Sequence, residues 1–335
     1  MIETIYVEHD VREHPRTQAV LARYPRATVI ECDRYQEVFN RRAQNFRIQK
    51  RRPGLILARK HERRVLPAPA GYGIGGERNF YFSHMYNCVY DCQYCFLQGM
   101  YQSAHYVVFV NFEDFVEDLH AEHHRGGGEA TYYYSGYDAD SLVFNSTTRF
   151  LEFILPAFEG HDDLWLELRT KSTAIRPLLA RRAMSNVIVA FSLSPSQLAR
   201  AVEHGAPPLE ARLEAILRVA AAGWPVGLRF DPVIYDAQYE QLYTELFDQV
   251  FDTLPGSAVH SVSIGPLRFP RPMFEVIQRQ SPTSRLLAGP LVARGNMVSY
   301  PRDLERRMHA FCRDALRRHV PEDRLFACLP AEWGA

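Results

Sequence analysis

The sequence predicts an α/β fold: a parallel sheet or partial barrel of about six βα units, fronted by a small N-terminal α/β extension. Three observations predict it. From residue 79 to residue 264, short apolar strands alternate with amphipathic segments of roughly 10–15 residues, the length of crossover helices. Residues 186–192, Asn-Val-Ile-Val-Ala-Phe-Ser, form a near-continuous apolar run, as a strand buried on both faces would. The opening of the chain reads strand, helix, strand. Composition agrees: the chain has 335 residues, 47% hydrophobic and 23% charged, with 39 Lys plus Arg against 39 Asp plus Glu. That excludes disordered, collagen-like and disulfide-miniprotein classes and suffices for a large core without staples. Zero net charge excludes a uniformly basic nucleic-acid coat but leaves room for a local basic patch.

Taken in order, residues 4–7 read as a strand, 16–24 as a helix closed by Pro25, and 27–32 as a second strand. Between Arg41 and Arg64, ten Lys or Arg residues face a single acid, Glu62, with a short strand at 54–58. Residues 67–76 hold two prolines and four glycines, a linker that divides an extension of residues 1–76 from a barrel and C-terminal helical region of residues 77–335. Beyond it come a strand at 79–83, a cysteine-bearing loop, a helix at 113–123 and a strand at 131–134. A helix at 150–158, a strand at 164–168, a helix at 175–184 and the apolar strand at 186–192 follow. The helix at 208–222 carries Leu209, Leu213, Ile216, Leu217 and Ala220 at helical spacing. Strands at 226–231 and 260–264 flank a helix at 239–251. No run of about 18 apolar residues occurs and the opening lacks a secretory pattern, so no membrane span is expected and a reducing, cytoplasmic setting is.

The sharpest signal is Cys88-Val-Tyr-Asp-Cys92-Gln-Tyr-Cys95, a C-x3-C-x2-C loop directly after a strand. Three of the six cysteines within eight positions make a metal-centre pattern rather than a disulfide framework. A structural zinc site would want a fourth ligand and a partner motif, and none is present. A [4Fe–4S] cluster on these thiolates would keep one iron open for a substrate or cofactor. From the residues alone, a non-catalytic iron–sulfur or zinc protein that binds nucleic acid through its basic segment also stays open.

The loop resembles the signature of the radical S-adenosylmethionine (radical SAM) superfamily, including the aromatic Tyr94 before the third cysteine and Phe96 after it. The resemblance implies a partial (β/α)6, TIM-like radical SAM barrel whose [4Fe–4S] cluster is held by Cys88, Cys92 and Cys95. The open iron would chelate S-adenosylmethionine, whose reductive cleavage yields a 5′-deoxyadenosyl radical. It further implies cofactor contacts at strand ends: Ser135 and Gly136, Lys171, Ser192 and Phe96. Each has a plainer reading, Gly136 as a turn, Lys171 as a solvated cation, Ser192 as a helix cap.

Along nearly its whole length the chain resembles the spore photoproduct lyase family. The likeness rests on Ile5 to Asp10 with His14-Pro15, Ile56 to Lys60, Cys95-Phe-Leu-Gln98 and Tyr106 to Asn111. It continues through Arg169-Thr-Lys171, Phe191-Ser192, Gly227 to Tyr235 and Met297-Val-Ser-Tyr300. The family resemblance implies a carbon–carbon lyase that reverses a thymine–thymine ultraviolet adduct in DNA, acting as a monomer with a flavodoxin- or ferredoxin-type reductant. One departure stands out. Where the family places its hydrogen-donor cysteine, this chain has Tyr137, in Ser135-Gly-Tyr-Asp-Ala-Asp140, and no cysteine lies between Cys95 and Cys312. Tyr137 is therefore the candidate altered donor, with Tyr300 as a relay partner and a different substrate on the same scaffold as the alternative reading. Lys50, Arg51 and Arg52 in the basic segment, and Arg268 and Arg271 beyond the last barrel strand, are candidate phosphate contacts. Cys32, Cys312 and Cys328 read as ordinary buried thiols.

Overall fold

The computed structural model describes residues 2–329. Two sheets organise them. The larger has eight strands, in the order Leu325–Ala327, Val259–Pro266, Val226–Val233, Val187–Ser192, Leu164–Thr170, Thr131–Ser135, Arg78–Phe82 and Val65–Pro67. All neighbours are parallel except the last pair, which is antiparallel. The six strands expected from the alternating pattern form its centre. Val187–Ser192 is buried at every position: Val187, Val189 and Phe191 face the main core that the helices cover, while Ile188 packs inside the curled sheet with Ile74 and Tyr134.

The register brings Ser135 beside both Phe82 and Leu168, and Ser192 beside Arg229, so the carboxyl ends of adjacent strands line up at one rim. That rim is where sites are built in βα barrels. Below it, the fully buried Arg229 donates through Nη2 to Glu167 Oε2 at 2.8 Å and to Ser261 Oγ at 2.9 Å, tying three strands together. A buried ion pair survives only when such partners satisfy it.

The second sheet runs Thr28–Cys32, Thr4–Glu8, Leu55–Ala58, Tyr106–Phe109 and Met85–Tyr86, parallel except at its last pair. Leu55–Ala58 is buried throughout, and its alternation divides the labour. Leu55 and Leu57 pack with Ile5, Val7 and Val108, while Ile56 and Ala58 join the main core with Val107 and Phe109. Residue 76 is thus not a boundary between sheets: strands 65–67 belong to the large one, and 85–86 and 106–109 to the small one.

The helices at Pro15–Arg23, Phe112–Arg125, Leu209–Ala221 and Tyr239–Thr253 lie where the periodicity put them. The helix expected at 175–184 shrinks to Arg176–Leu179. Ile175 and Leu178 are buried, but Arg181 and Arg182 offer no apolar group to hold further turns. Beyond the last expected strand, the antiparallel trio Arg268–Pro270, Met297–Ser299 and Val292–Arg294 and the helices Arg271–Gln280 and Arg302–Leu316 complete the fold. Among the described residues no helix is long and apolar enough to cross a membrane.

Candidate active site

The cysteine loop is held from three directions. Asn87 takes a left-handed conformation (φ 64°), which an asparagine tolerates, and turns the chain out of the sheet. Its side-chain amide donates to Ser103 O at 2.8 Å and His105 O at 2.7 Å. Cys92 pairs with Glu203 and Asp91 with His204, and Gln93 N donates to Val202 O at 2.7 Å, stitching the loop to the barrel. From the other side the Phe46–Arg51 helix reaches over: Lys50 Nζ donates to Cys88 O, and Arg47 donates to Gln98 Oε1 at 3.0 Å and pairs with Asp91. Gln98 in turn donates to Cys92 O at 2.7 Å. This turns Cys88, Cys92 and Cys95 into one cleft, whose opposite wall contains Gly136, Tyr137, Asp140, Lys171 and Ser192.

Burial raises all three thiols, that of Cys92 to about 12, where the neighbouring Glu203 opposes Lys171. The donor set fits an iron–sulfur cluster: three soft sulfurs, with Lys50 and Lys171 near enough to offset thiolate charge. Cys32, Cys312 and Cys328 do not line the cleft.

The opposite wall is a set of strand ends. Gly136 has φ +91°, and a Cβ there would lie 2.7 Å from Ser141 Oγ and 2.8 Å from Arg169 O, so only glycine fits. Ser135 Oγ and Ser141 Oγ are buried with no side-chain hydrogen-bond partner among the described residues, and neither lines the cleft, so the hydroxyl expected at Ser135 lies behind its wall. Asp140 organises the turn: it accepts from Leu142 N, Val143 N, Thr170 Oγ1 and Lys171 N at 2.7–2.9 Å. Lys171 is no solvated cation. Burial works to lower its pKa, but Cys92 and Glu203 outweigh that and hold the ammonium charged, 5.4 Å over the Tyr94 ring. Glu203 is itself fixed by Tyr94 Oη and by the buried Arg212. Ser192 lines the cleft while its carbonyl accepts from Arg212 at 3.0 Å.

Tyr137 lines the cleft within an aromatic cage, its ring 4.4 Å from Tyr81, 5.5 Å from Phe96 and 6.0 Å from Tyr72. Tyr300 is not brought there. It is buried in the core, and its hydroxyl accepts from Tyr235 N at 2.9 Å. Sequence reasoning passed over Asp140, Tyr72 and Arg169, the last stacked 4.8 Å over the Tyr72 ring. Cys328, read from the sequence as an ordinary buried thiol, is buried outside the cleft, and its Sγ accepts from Arg268 Nη2 at 3.0 Å just past the Leu325–Ala327 strand. The Ser-Gly-Tyr-Asp-Ala-Asp run held the signal for Asp140, a carboxylate two residues before free amides; the others gave none.

The basic segment is half spent inside the protein. Arg47 and Lys50 hold the cysteine loop, Arg59 and Arg64 pair with Asp114 and Asp118, and Lys60 lies over the Tyr86 and Phe109 rings. Arg41, Arg42, Arg51, Arg52 and Arg63 remain exposed. Lys50 and Arg268 therefore act as struts rather than phosphate contacts, because their polar heads are engaged inward. Arg271 is exposed, and its guanidinium lies 3.4 Å from Glu275.

The family model for spore photoproduct lyase matches residues 80–291. The chain is 27% identical to the spore photoproduct lyase of Bacillus subtilis (strain 168) over 203 residues and 26% identical to that of Geobacillus sp. (strain Y412MC61) over 202. Each match spans 59% of this chain and 59% of the relative's own length. Among solved structures, a spore photoproduct lyase double mutant with bound AdoMet and dinucleoside spore photoproduct superposes with a TM-score of 0.83. A second, complexed with dinucleoside spore photoproduct, gives 0.81; both share 18% identity and cover 98% of each chain, which shows the fold. The six-unit barrel expected from the sequence is that fold. With more than half of its residues matched by the family model, the chain belongs to the spore photoproduct lyase family.

Proposed function

We propose that the chain is a radical SAM lyase that reverses a thymine–thymine photoproduct in DNA. The observation that carries this is the convergence of Cys88, Cys92 and Cys95 with Gly136, Lys171 and Ser192 in one cleft at the strand ends. The three thiolates would hold a [4Fe–4S] cluster, which together with S-adenosylmethionine would supply radical chemistry able to take a hydrogen atom from the substrate. The chain's own residues do the rest. Lys171, kept charged, pairs with a ligand carboxylate, and Gly136 lets a ligand approach the backbone. Tyr72, Tyr81 and Phe96 exclude water around Tyr137, whose phenolic hydrogen is available to the substrate.

A DNA substrate is supported by the Phe46–Arg51 helix, which lies directly on the cysteine loop and carries Arg51 and Arg52 outward. A spore photoproduct lyase structure that superposes on this chain is complexed with dinucleoside spore photoproduct. A flavodoxin- or ferredoxin-type reductant, a cytoplasmic setting and a monomer belong to the same proposal. A different substrate on this scaffold is the second reading, favoured by Tyr137 standing where the family's donor cysteine is expected.

The test is anaerobic reconstitution. About four irons per chain and formation of 5′-deoxyadenosine under reducing conditions are expected, and Cys92→Ala should abolish the latter. Conversion of dinucleoside spore photoproduct to the thymidine dinucleotide supports the lesion; deoxyadenosine without repair moves the assignment to the second reading. A colourless protein that cleaves no S-adenosylmethionine defeats both.

A further inference from the structure

A second cluster of metal-ligating side chains lies at the opposite end of the barrel. The Phe112–Arg125 helix carries His120 and His123 on one face near its end, and the chain returns into strand Leu164–Thr170 through His161 and Asp163. One ligand atom each from His123, His161 and Asp163 lies within 4.8 Å of the other two. His123 is buried, with Nε2 3.3 Å from Asp163 Oδ1.

Thr131 Oγ1 accepts from Arg78 Nε at 3.4 Å and lies within hydrogen-bond reach of both Glu129 O, at 3.1 Å, and His123 Nδ1, at 3.2 Å. With the Thr131 hydrogen on Glu129 O, His123 Nδ1 carries the ring hydrogen and Nε2 presents a lone pair to the Asp163 carboxylate. Two acceptors face to face need a cation between them. A proton would satisfy His123 and Asp163 but gives no role to His161, whose ring sits 6.2 Å from that of His123. In that tautomer the Nδ1–H···Thr131 contact is the outer bond that a metal-ligating histidine characteristically makes.

We propose that His123 Nε2, a ring nitrogen of His161 and an Asp163 oxygen form a zinc-type site, with water in the fourth position. Two imidazoles and one carboxylate are an ordinary donor set for Zn2+. Thr131 N donates to Asp163 O at 2.8 Å, which places the site at the amino ends of the Thr131–Ser135 and Leu164–Thr170 strands, whereas the cysteine cleft lies at their carboxyl ends. The ion would staple the end of a helix to the entry of a strand and take no part in radical chemistry.

The test uses the full chain with its cluster reconstituted anaerobically, so that Cys88, Cys92 and Cys95 are occupied. After equilibration with zinc chloride and gel filtration, elemental analysis should find about one zinc per chain. In His161→Asn and in Asp163→Asn the zinc should fall to roughly a tenth or less, with iron unchanged. Zinc at a hundredfold excess over Kd should raise the wild-type Tm by about 5 °C and leave His161→Asn unmoved. Equal zinc in wild type and variants, or no zinc in wild type with full iron, overturns the site and leaves a plain His123–Asp163 hydrogen bond.

Discussion

Tyr137 keeps its phenolic hydrogen because its surroundings disfavour the phenolate. Burial first, then Tyr81 and Asp138, push its pKa up to about 12, against the pull of Arg268. In the proposed reaction this keeps the phenol protonated well into the alkaline range. Cys328 is similarly raised to about 11 by burial and the nearby Asp231, but it does not line the cleft. Tyr137→Phe should therefore leave deoxyadenosine formation within about twofold of wild type while shifting the products from repaired to aborted species, as read by chromatography of the dinucleotide. Cys328→Ala should leave the product ratio alone. The reverse pattern would transfer the donor role to Cys328. Tyr137 could be located from the sequence, since its neighbours Gly136 and Asp140 mark a strand-end turn; its cage could not, because Tyr72, Tyr81 and Phe96 come from three separate segments.

At the scale of elements, the short helix Leu97–Met100 fixes the back of the cysteine loop. A Cβ at Gly99 would come within 2.4 Å of Met273 O and 2.7 Å of Met273 Cα, so this glycine sets how closely the loop packs on the Arg271–Gln280 helix. Both neighbours are backbone atoms, and only movement of a whole element can relieve the clash. Gly99→Ala should cost about 1–3 kcal/mol of stability, measured by denaturant unfolding, and reduce iron retained after reconstitution. A variant with wild-type stability and iron would show that the two helices can separate without disturbing the loop. The contrast with 175–184 is instructive. Pattern alone extends that helix to ten residues, yet only Arg176–Leu179 forms, because helices in proteins persist as far as they bury an apolar face.

For the whole molecule, the junction between the two sheets carries an acid-sensitive group. His84 O accepts from Phe109 N at 2.9 Å, and its buried ring stacks on Phe150 at 3.6 Å. Burial first, then the Lys60 charge, depress its pKa from 6.5 to about 3. The unfolded chain thus binds this proton more readily than the folded one, so the contribution of neutral His84 is full above pH 6.5 and is lost as pH falls towards 3. Thermal unfolding across that window should show Tm declining with acidity, and less steeply in His84→Phe; identical slopes would clear His84 of responsibility. Sequence by itself determined the features written in local spacing: the C-x3-C-x2-C loop after a strand, the six alternating βα units, and the glycine at 136. These are legible because periodicity and ligand spacing are properties of one segment. Only the tertiary structure decided which charges and hydroxyls are spent. Half of the basic segment is neutralised by Asp91, Asp114, Asp118 and aromatic rings far along the chain, Lys171 is drawn into the thiols, and three ligands gather at the barrel's base. Such partnerships depend on long-range register and burial, and these exist only once the sheets have assembled.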